Sequence, residues 1–293
     1  MLLPPFTHHR PTELAEAHDL IAHFGDEASV YAGGTELLLA MKARVLRYAH
    51  LIDLKRIAAL DGIRRDGDEI VIGARMSHHR IATDPLVQKL LPTYAALSNN
   101  VANIRVRVAG TLAGNLCFAE PHADPPALLA VLGASVELSN GETARRVPIA
   151  DFIEAEFTTV REPDELLVAV RIPLPLPRSA YSYQSFGHLE RPAVGIAAGC
   201  ARQDGGWRYR VWAGAISDRP TCLDDLEAVL AGVPPHDLMD VLPAAAITAG
   251  ASLAAHDDIH GSADYKQHLA GVLAQRAVRT AADTCLAGET VHG

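Results

Sequence analysis

Ala32-Gly33-Gly34-Thr35-Glu36 is the first of two glycine-rich turns in this chain, and the second is Gly110-Thr111-Leu112-Ala113-Gly114-Asn115. Small residues with free backbone N–H groups, placed at a turn between a strand and a helix, wrap an anion closely because no Cβ blocks the approach. Each turn also carries a hydroxyl group, from Thr35 or Thr111. One such turn is weak evidence, but two predict a clamp for both ends of a pyrophosphate, and therefore a dinucleotide site.

The composition is that of a globular protein with no sign of a nucleic-acid or membrane partner. Hydrophobic residues make up 49% of the 293 residues and charged residues 21%. A net charge of −9 with scattered arginines argues against nucleic acid, because phosphate binding needs clustered Lys and Arg. No apolar run is long enough to span a bilayer, and the N-terminus lacks the basic start of a signal peptide, so we expect a cytoplasmic location.

The pattern along the chain predicts an α+β fold. We divide it into three units, because the chain is too long for one ordinary core. Helix-like and strand-like segments mix within residues 1–57 and again within residues 58–174, where the spacing predicts a helix over residues 81–91. Residues 173–177 read Pro-Leu-Pro-Leu-Pro, which enforces an extended chain, so we place a domain boundary there. Beyond it, residues 178–288 hold three strand-like segments followed by helices.

The sequence predicts no metal site. The adjacent histidines His8-His9 and His78-His79 do not point the same way on either a helix or a strand. The cysteines are too far apart in sequence for a zinc or iron–sulfur motif; they are Cys117, Cys200, Cys222 and Cys285.

Both turns and their surroundings resemble the FAD-binding subunit of molybdenum-containing hydroxylases, over nearly the whole chain. The family's Ala-Gly-Gly-Thr-Asp/Glu-Leu pattern, followed by Met-Lys, is similar to residues 32–37 and Met41-Lys42. Its Arg-Asn-x-Gly-Thr-Ile-Gly-Gly-Asn pattern is similar to residues 107–115. The resemblance implies a two-part FAD-binding domain of the PCMH type, followed by a C-terminal domain of the carbon monoxide dehydrogenase flavoprotein type with a three-stranded sheet and helices.

The resemblance also implies which residues hold FAD. The two turns would donate hydrogen bonds to the phosphates, and an apolar side chain would pack near the flat rings. Asp124 would accept from ribose hydroxyls, although capping of the helix that follows it explains this residue equally well. The predicted cofactor-binding residues are Ala32, Gly33, Gly34, Thr35, Glu36, Leu37, Thr111, Ala113, Gly114, Asn115, Asp124 and Leu167.

Four positions depart from the family pattern. Val108 and Ala113 replace an Asn and a Gly of the second turn. In the C-terminal unit, Gly187 stands where the family has a Lys, and Gly195 where it has an acidic residue. The extra methyl group of Ala113 predicts a looser phosphate contact at the second turn, whereas Gly187 and Gly195 bear on the flavin-ring contacts of the third unit. The segment that follows the second turn contains Cys117 and His122, which both lie near the predicted site. We interpret Cys117 as a small buried side chain and His122 as a loop histidine.

By this resemblance, the chain is an electron-transfer subunit. A large partner would hold a molybdopterin cofactor, a small partner would hold [2Fe-2S] clusters, and FAD in this chain would pass electrons to NAD, a quinone or oxygen. A free-standing FAD oxidase is one alternative, but it needs a substrate pocket with a base. A partner-binding scaffold that has lost flavin is the other. A nicotinamide-binding fold is less favoured, since no Gly-x-Gly-x-x-Gly follows the first strand.

Overall fold

A computed structural model describes residues 2–188 and 191–290 of the chain. The strands are β1 Thr7–His9, β2 Ala28–Tyr31, β3 His50–Asp53, β4 Ile63–Asp66, β5 Glu69–Gly73, β6 Ser135–Ser139, β7 Ala144–Pro148, β8 Ile153–Ala155, β9 Thr158–Thr159, β10 Leu166–Pro173, β11 Ser179–His188, β12 Arg191–Gln203, β13 Gly206–Gly214 and β14 Thr221–Cys222. The helices are α1 Leu14–Phe24, α2 Leu37–Lys42, α3 His78–Thr83, α4 Pro85–Leu90, α5 Pro92–Asn100, α6 Ile104–Ala109, α7 Leu112–Phe118, α8 Pro125–Val131, α9 Ile149–Phe152, α10 Asp224–Leu230, α11 Leu238–Ala251 and α12 Ala263–Thr290.

The first sheet positions the first glycine turn. Its order is β1-β3-β2, and both outer strands run parallel to β3. Helix α1 packs on β2 and β3, and the core residues Ala17 and Ile52 are fully buried. Residues 32–36 follow directly on β2, at its carboxyl end. Ligands of parallel α/β units bind at this end of the strands, so the turn lies where a ligand is expected.

The second sheet carries the other wall of the site. Its order is β4-β5-β10-β6-β7, with antiparallel pairing throughout. A register shift between Leu167 and Ala169 interrupts the pairing of β10 with β6. Such a bulge turns a side chain away from the regular alternation of the strand. Helix α7, which follows the second glycine turn, packs against β10.

Pro85 divides the helix predicted over residues 81–91 into α3 and α4. The side chain of Asp84 accepts hydrogen bonds from the N–H groups of Leu86 and Val87, at 2.9 and 3.1 Å. Asp at the N-cap and Pro at the first helical position start a new helix, because the missing N–H of proline costs nothing there. The single predicted helix is therefore wrong in detail, although the segment is helical.

The C-terminal unit is a four-stranded antiparallel sheet of order β11-β12-β13-β14. Helix α12 packs on this sheet, and α11 packs against α12. The three strands predicted from the sequence are present, and the two-residue β14 extends the sheet. Strand β12 is buried on both faces because its residues alternate between two cores. Val194 and Ile196 pack in the core beneath the helices, whereas Ala197 belongs to the core shared with the first two units.

Small residues bring the C-terminal sheet close to α8. A Cβ on Gly214 would lie 3.3 Å from the Cβ of Ala127. A Cβ on Gly199 would lie 3.0 Å from the Val131 side chain. The sheet face beside α8 also carries Tyr183, whose ring lies over Gly195. The interface between the units is therefore close-packed, and it extends to the beginning of α8.

No helix in the described residues is both long enough and apolar enough to cross a membrane.

Candidate functional site

The two glycine turns touch each other through backbone atoms. A Cβ on Gly33 would overlap the carbonyl oxygen of Ala109 and lie 2.8 Å from the Cα of Gly110. Gly34 has a φ of +72°, and a Cβ there would overlap the ring of Tyr31. Only glycine avoids both conflicts, because residues with a Cβ cannot approach a backbone this closely and rarely adopt a left-handed φ. The two turns predicted from the sequence form one continuous wall.

Thr111 caps the helix that opens from the second turn. Its Oγ1 accepts a hydrogen bond from the Gly114 N–H at 3.1 Å. The Gly114 N–H is thus bound within the protein, and this differs from its expected role as a phosphate donor. The Thr111 hydroxyl keeps its own hydrogen, which it can still donate to a ligand oxygen. Beside it, Asn115 Oδ1 is buried without a hydrogen-bond partner among the described residues.

A cavity of about 780 Å³ opens beside these turns. Every one of the twelve predicted cofactor-binding residues lines it, from Ala32 in the first unit to Leu167 in the second. Leu167 is 4% exposed and belongs to the main core, so it offers an apolar wall at the β10 bulge. The volume lies within the roughly 300–1,000 Å³ range typical of ligand and cofactor sites.

Asp124 lies at the beginning of α8 but does not cap it. The helix has no side-chain cap hydrogen bond from this residue. Instead, Oδ1 of Asp124 accepts a hydrogen bond of 2.8 Å from the Tyr183 hydroxyl of β11. Burial raises the pKa of Asp124 to about 6, against the hydrogen bond from Tyr183, which lowers it. The capping interpretation is thus not supported, and the carboxyl is available to the cavity that it lines.

Charged side chains from all three units meet at one side of the cavity. Arg191 contacts Glu36 at 3.3 Å and Glu120 at 3.0 Å. The ring of His122 bridges Glu120 at 3.0 Å and Asp258 at 3.1 Å. Sequence reasoning missed Glu120, Arg191 and Asp258 as parts of the site. Their roles depend on contacts between distant segments, for which no local pattern is a signal.

His78 is a further residue of the cavity that sequence reasoning missed. It is 2% exposed, and its Nδ1 has no hydrogen-bond partner among the described residues. Burial, with a smaller contribution from the charge of Arg107, lowers the pKa of His78 to about 4. The ring is therefore neutral near pH 7. From the sequence, His78 was considered only as a candidate metal ligand.

The cysteines give no sign of redox or metal chemistry in this part of the chain. Cys117 lines the cavity, and burial raises its pKa to about 11, so it is a protonated thiol near neutral pH. None of the four cysteines forms a disulfide bond within the described residues. Across residues 2–188 and 191–290, no group of three His, Cys, Asp or Glu side chains is arranged to hold a metal ion.

The cavity fits a flavin dinucleotide on structural grounds. The glycine wall leaves backbone space that any Cβ would fill, and Asn115 Oδ1 and His78 Nδ1 are buried polar atoms that lack partners. Buried polar atoms without partners are costly, so they indicate a ligand. A two-part α+β domain with two glycine turns facing one long cavity defines the class of flavin-dinucleotide-binding domains.

Comparison with known families shows which family of flavin-binding proteins the chain belongs to. Residues 4–175 match the family described as the FAD binding domain in molybdopterin dehydrogenase. Residues 192–281 match the CO dehydrogenase flavoprotein C-terminal domain. The chain belongs to the FAD-binding medium subunits of the molybdenum-containing hydroxylases, and it is an oxidoreductase subunit with FAD as its cofactor. The predicted family, fold class and cofactor are confirmed.

Relatives match over almost the full chain. The carbon monoxide dehydrogenase medium chain of Afipia carboxidovorans is 35% identical over 288 residues, which cover 96% of this chain and 98% of the relative. The caffeine dehydrogenase subunit beta of Pseudomonas sp. (strain CBB1) is 29% identical, with 95% of each chain covered. The solved carbon monoxide dehydrogenase from Hydrogenophaga pseudoflava aligns with a TM-score of 0.92 at 30% identity, covering 97% of this chain and 99% of that one.

Proposed function

We propose that this chain is the electron-transfer subunit of a cytoplasmic molybdenum hydroxylase. It takes electrons from the [2Fe-2S] clusters of a small partner subunit and delivers them through FAD to NAD, a quinone or oxygen. A large molybdopterin-binding partner oxidises the substrate. Relatives of nearly equal length are named as chains or subunits of dehydrogenases, which supports a role inside a complex.

The single observation that carries the proposal is the joint wall of the two glycine turns beside the cavity. We propose that the backbone N–H groups of residues 32–36 and the hydroxyls of Thr35 and Thr111 bind the FAD pyrophosphate, since donors aimed at charged oxygens make short, strong hydrogen bonds. In the second turn, the N–H groups of Leu112, Gly114 and Asn115 already donate within the protein. Asp124 accepts a hydrogen bond from the cofactor, and Leu167 packs near a ring. Bound FAD supplies the redox chemistry, and the protein orients it and sets its electrostatic surroundings.

Gly33→Ala and Gly34→Ala test the cofactor site. We expect both variants to lose at least about tenfold in FAD affinity, because each new methyl group overlaps atoms of the wall. FAD retention after desalting, read from the flavin absorption spectrum, together with the Kd from flavin fluorescence, measures the effect.

Two glycines outside the site provide matched controls for these variants. Gly67 has a φ of +60° with open space around it, so Gly67→Ala carries the left-handed strain of Gly34→Ala without its overlap. Gly206 has its nearest neighbour at 3.8 Å and matches Gly33. If the control variants lost FAD to the same extent, the glycine wall would not be the cofactor site. A folded wild-type chain that binds no FAD would favour the scaffold alternative.

Co-purification tests the electron-transfer role. The tagged chain, isolated from its native cells with its own flavin, is expected to bring down a larger partner chain that contains molybdenum and a smaller partner chain that contains iron. The FAD-loaded chain alone is reduced by light with EDTA as the electron donor in the absence of oxygen. It is then mixed with NAD, a quinone or oxygen, and flavin reoxidation identifies the acceptor. A chain that purifies with flavin but without iron or molybdenum, and that oxidises a substrate unaided, would instead be a free-standing oxidase.

A further inference from the structure

We infer that Tyr183 of β11 is a positioning residue of the flavin site, where it holds the Asp124 carboxylate as a hydrogen-bond acceptor for an N–H or O–H group of bound FAD. This inference rests on the proposed function, and it assigns the third unit of the chain a defined part in cofactor binding. Tyr183 was not among the residues predicted from the sequence, and it does not line the cavity itself.

The contact is made across the interface between two units. The Tyr183 hydroxyl donates to Asp124 Oδ1 at 2.8 Å, and the two residues are 59 positions apart in sequence. A carboxylate has about four acceptor positions, and Tyr183 occupies one of them, so acceptor capacity remains for a ligand in the cavity that Asp124 lines. An aromatic ring fixed in a sheet orients a carboxyl better than a flexible side chain does, because few torsions are left free.

Gly195 makes this placement possible. A Cβ at this position would overlap the Tyr183 hydroxyl oxygen and lie 3.0 Å from the ring carbon Cζ. The tyrosine therefore occupies the space that a side chain from position 195 would fill. This explains the departure of Gly195 from the family pattern in terms of the site itself. Position 195 of β12 has no side chain, and Tyr183 of β11 occupies that space and donates to Asp124, which lines the cavity.

The surroundings of Asp124 make its charge sensitive to pH. From β11, Tyr183 donates to the carboxyl, and within the preceding loop the charge of Glu120 acts to raise the pKa of Asp124. Burial opposes ionisation of Glu120, but the hydrogen bond from His122 and the charge of Arg191 outweigh it and lower the pKa of Glu120. Glu120 therefore stays ionised between pH 5 and 8, and Asp124 is the carboxyl that changes charge near pH 6.

The dependence of FAD affinity on pH tests the inference. A group of FAD that donates to Asp124 binds the carboxylate form, so the wild-type affinity is expected to be constant above pH 7. Below about pH 6 it is expected to fall by up to about tenfold per pH unit as Asp124 takes up a proton. Asp124→Asn cannot ionise and is expected to bind FAD more weakly at pH 8 with a flat profile between pH 5 and 8. The FAD Kd is measured by fluorescence titration in this range.

Tyr183→Phe removes only the hydroxyl group. The hydrogen bond from Tyr183 lowers the pKa of Asp124, so its loss is expected to move the fall in affinity to higher pH. We also expect about tenfold weaker binding at pH 8, because the carboxylate is no longer held in place. Tyr181→Phe is the matched control, since Tyr181 lies on the same strand with its ring over Gly199 and does not line the cavity.

Gly195→Ala approaches the same contact from the other side. Its methyl group displaces the Tyr183 hydroxyl and is expected to reproduce the pH shift of Tyr183→Phe. In the double variant the overlapping oxygen is absent, so the two effects are expected not to add. A merely structural role would lower thermal stability without moving the pH profile.

Three outcomes would overturn the inference. They are an unshifted profile in Tyr183→Phe, a wild-type profile retained in Asp124→Asn, and an equal shift in Tyr181→Phe. A wild-type chain that binds no FAD at any pH would overturn the proposed function as well, so the two failures are distinguishable.

Discussion

At the scale of single residues, His122 is the group whose charge links two units of the chain. Its ring contacts Glu120, in the loop before α8, and Asp258, in the loop before α12. Burial alone would lower the pKa of His122, but the hydrogen bonds and charges of the two carboxylates outweigh burial and raise it. Lys266, which is 1% exposed, holds Asp258 from the other side at 2.5 Å.

His122→Gln is expected to destabilise the protein in a pH-dependent manner. A histidine with a raised pKa contributes its full stabilisation below its unfolded value of about 6.5, and this stabilisation is lost as the pH rises through the folded value. We expect a loss of about 1 kcal/mol in the free energy of unfolding at pH 5.5 and a smaller loss at pH 8.5. Urea unfolding at both pH values measures it.

The control for this variant is His236→Gln, since the His236 side chain is 74% exposed and forms its ion pair with the neighbouring Asp237. A loss for His122→Gln that is equal at both pH values, or larger at pH 8.5, would contradict the assignment of a charged His122 to this contact.

At the scale of elements, two glycines set the distance between α11 and α12. A Cβ on Gly250 would lie 2.6 Å from both the carbonyl oxygen of Gln267 and the nitrogen of Gly271. A Cβ on Gly271 would lie 3.0 Å from the Cα of Ile247. The two helices thus cross with backbone against backbone, as small residues allow.

Gly250→Ala separates two opposing effects on stability. Helix propensity favours alanine over glycine by about 1 kcal/mol, which predicts stabilisation. The overlap with backbone atoms predicts a cost of about 1–3 kcal/mol, because neither helix can give way without moving as a whole. We expect the overlap to win, with a lower urea midpoint measured by circular dichroism. Gly271→Ala, with the wider 3.0 Å contact, is expected to cost less. A more stable Gly250→Ala would show that the helices separate easily.

The elements differ in how far the sequence predicts them. The glycine turns were predictable because their chemistry is local: Gly33, Gly34 and Gly114 stand within a few residues of the hydroxyls they accompany. The start of α4 at Pro85 was predictable in principle from Asp84-Pro85, but the apolar spacing concealed it. The two-residue β14 carries no pattern of its own, since only its pairing with β13 defines it.

Parts of the site could not be predicted from the sequence either, because they depend on contacts between segments that are distant in the chain. The contact of Tyr183 with Asp124, and those of Arg191 with Glu36 and Glu120, join segments from different units. Such pairs become visible only when the sheets have been placed against each other. The sequence therefore predicts the residues that line the cavity beside the glycine turns more completely than it predicts the ion pairs at its side.

At the scale of the whole molecule, we expect the interface between α8 and the C-terminal sheet to link the stability of the protein to its affinity for FAD. Asp124 directly precedes α8, and Tyr183 lies in the sheet on the other side of this interface. Any change that moves the sheet from α8 therefore also moves the tyrosine hydroxyl from its carboxylate.

Gly214→Val is expected to lower both thermal stability and FAD affinity. The larger side chain meets the Cβ of Ala127, which lies 3.3 Å from the Cβ position of residue 214, and it forces the sheet away from α8. We expect a loss of about 1–3 kcal/mol in stability and several-fold weaker FAD binding, measured by thermal unfolding and fluorescence titration.

Gly206→Val, at the opposite end of the same strand, is the control, because its nearest neighbour lies 3.8 Å away. If Gly214→Val lowered stability but left the FAD Kd unchanged, the packing of the sheet against α8 would have no effect on FAD binding.

The span of the Tyr183–Asp124 contact also bears on biosynthesis. A ribosome adds roughly 5–20 residues per second, and domains fold as they emerge. The glycine turns are both made long before Tyr183, so the growing chain exposes an incomplete pocket for several seconds. On the inferred role of Tyr183, we expect the flavin site to be completed only after the C-terminal sheet has docked, and a chain that ends near residue 180 lacks the hydroxyl that holds Asp124.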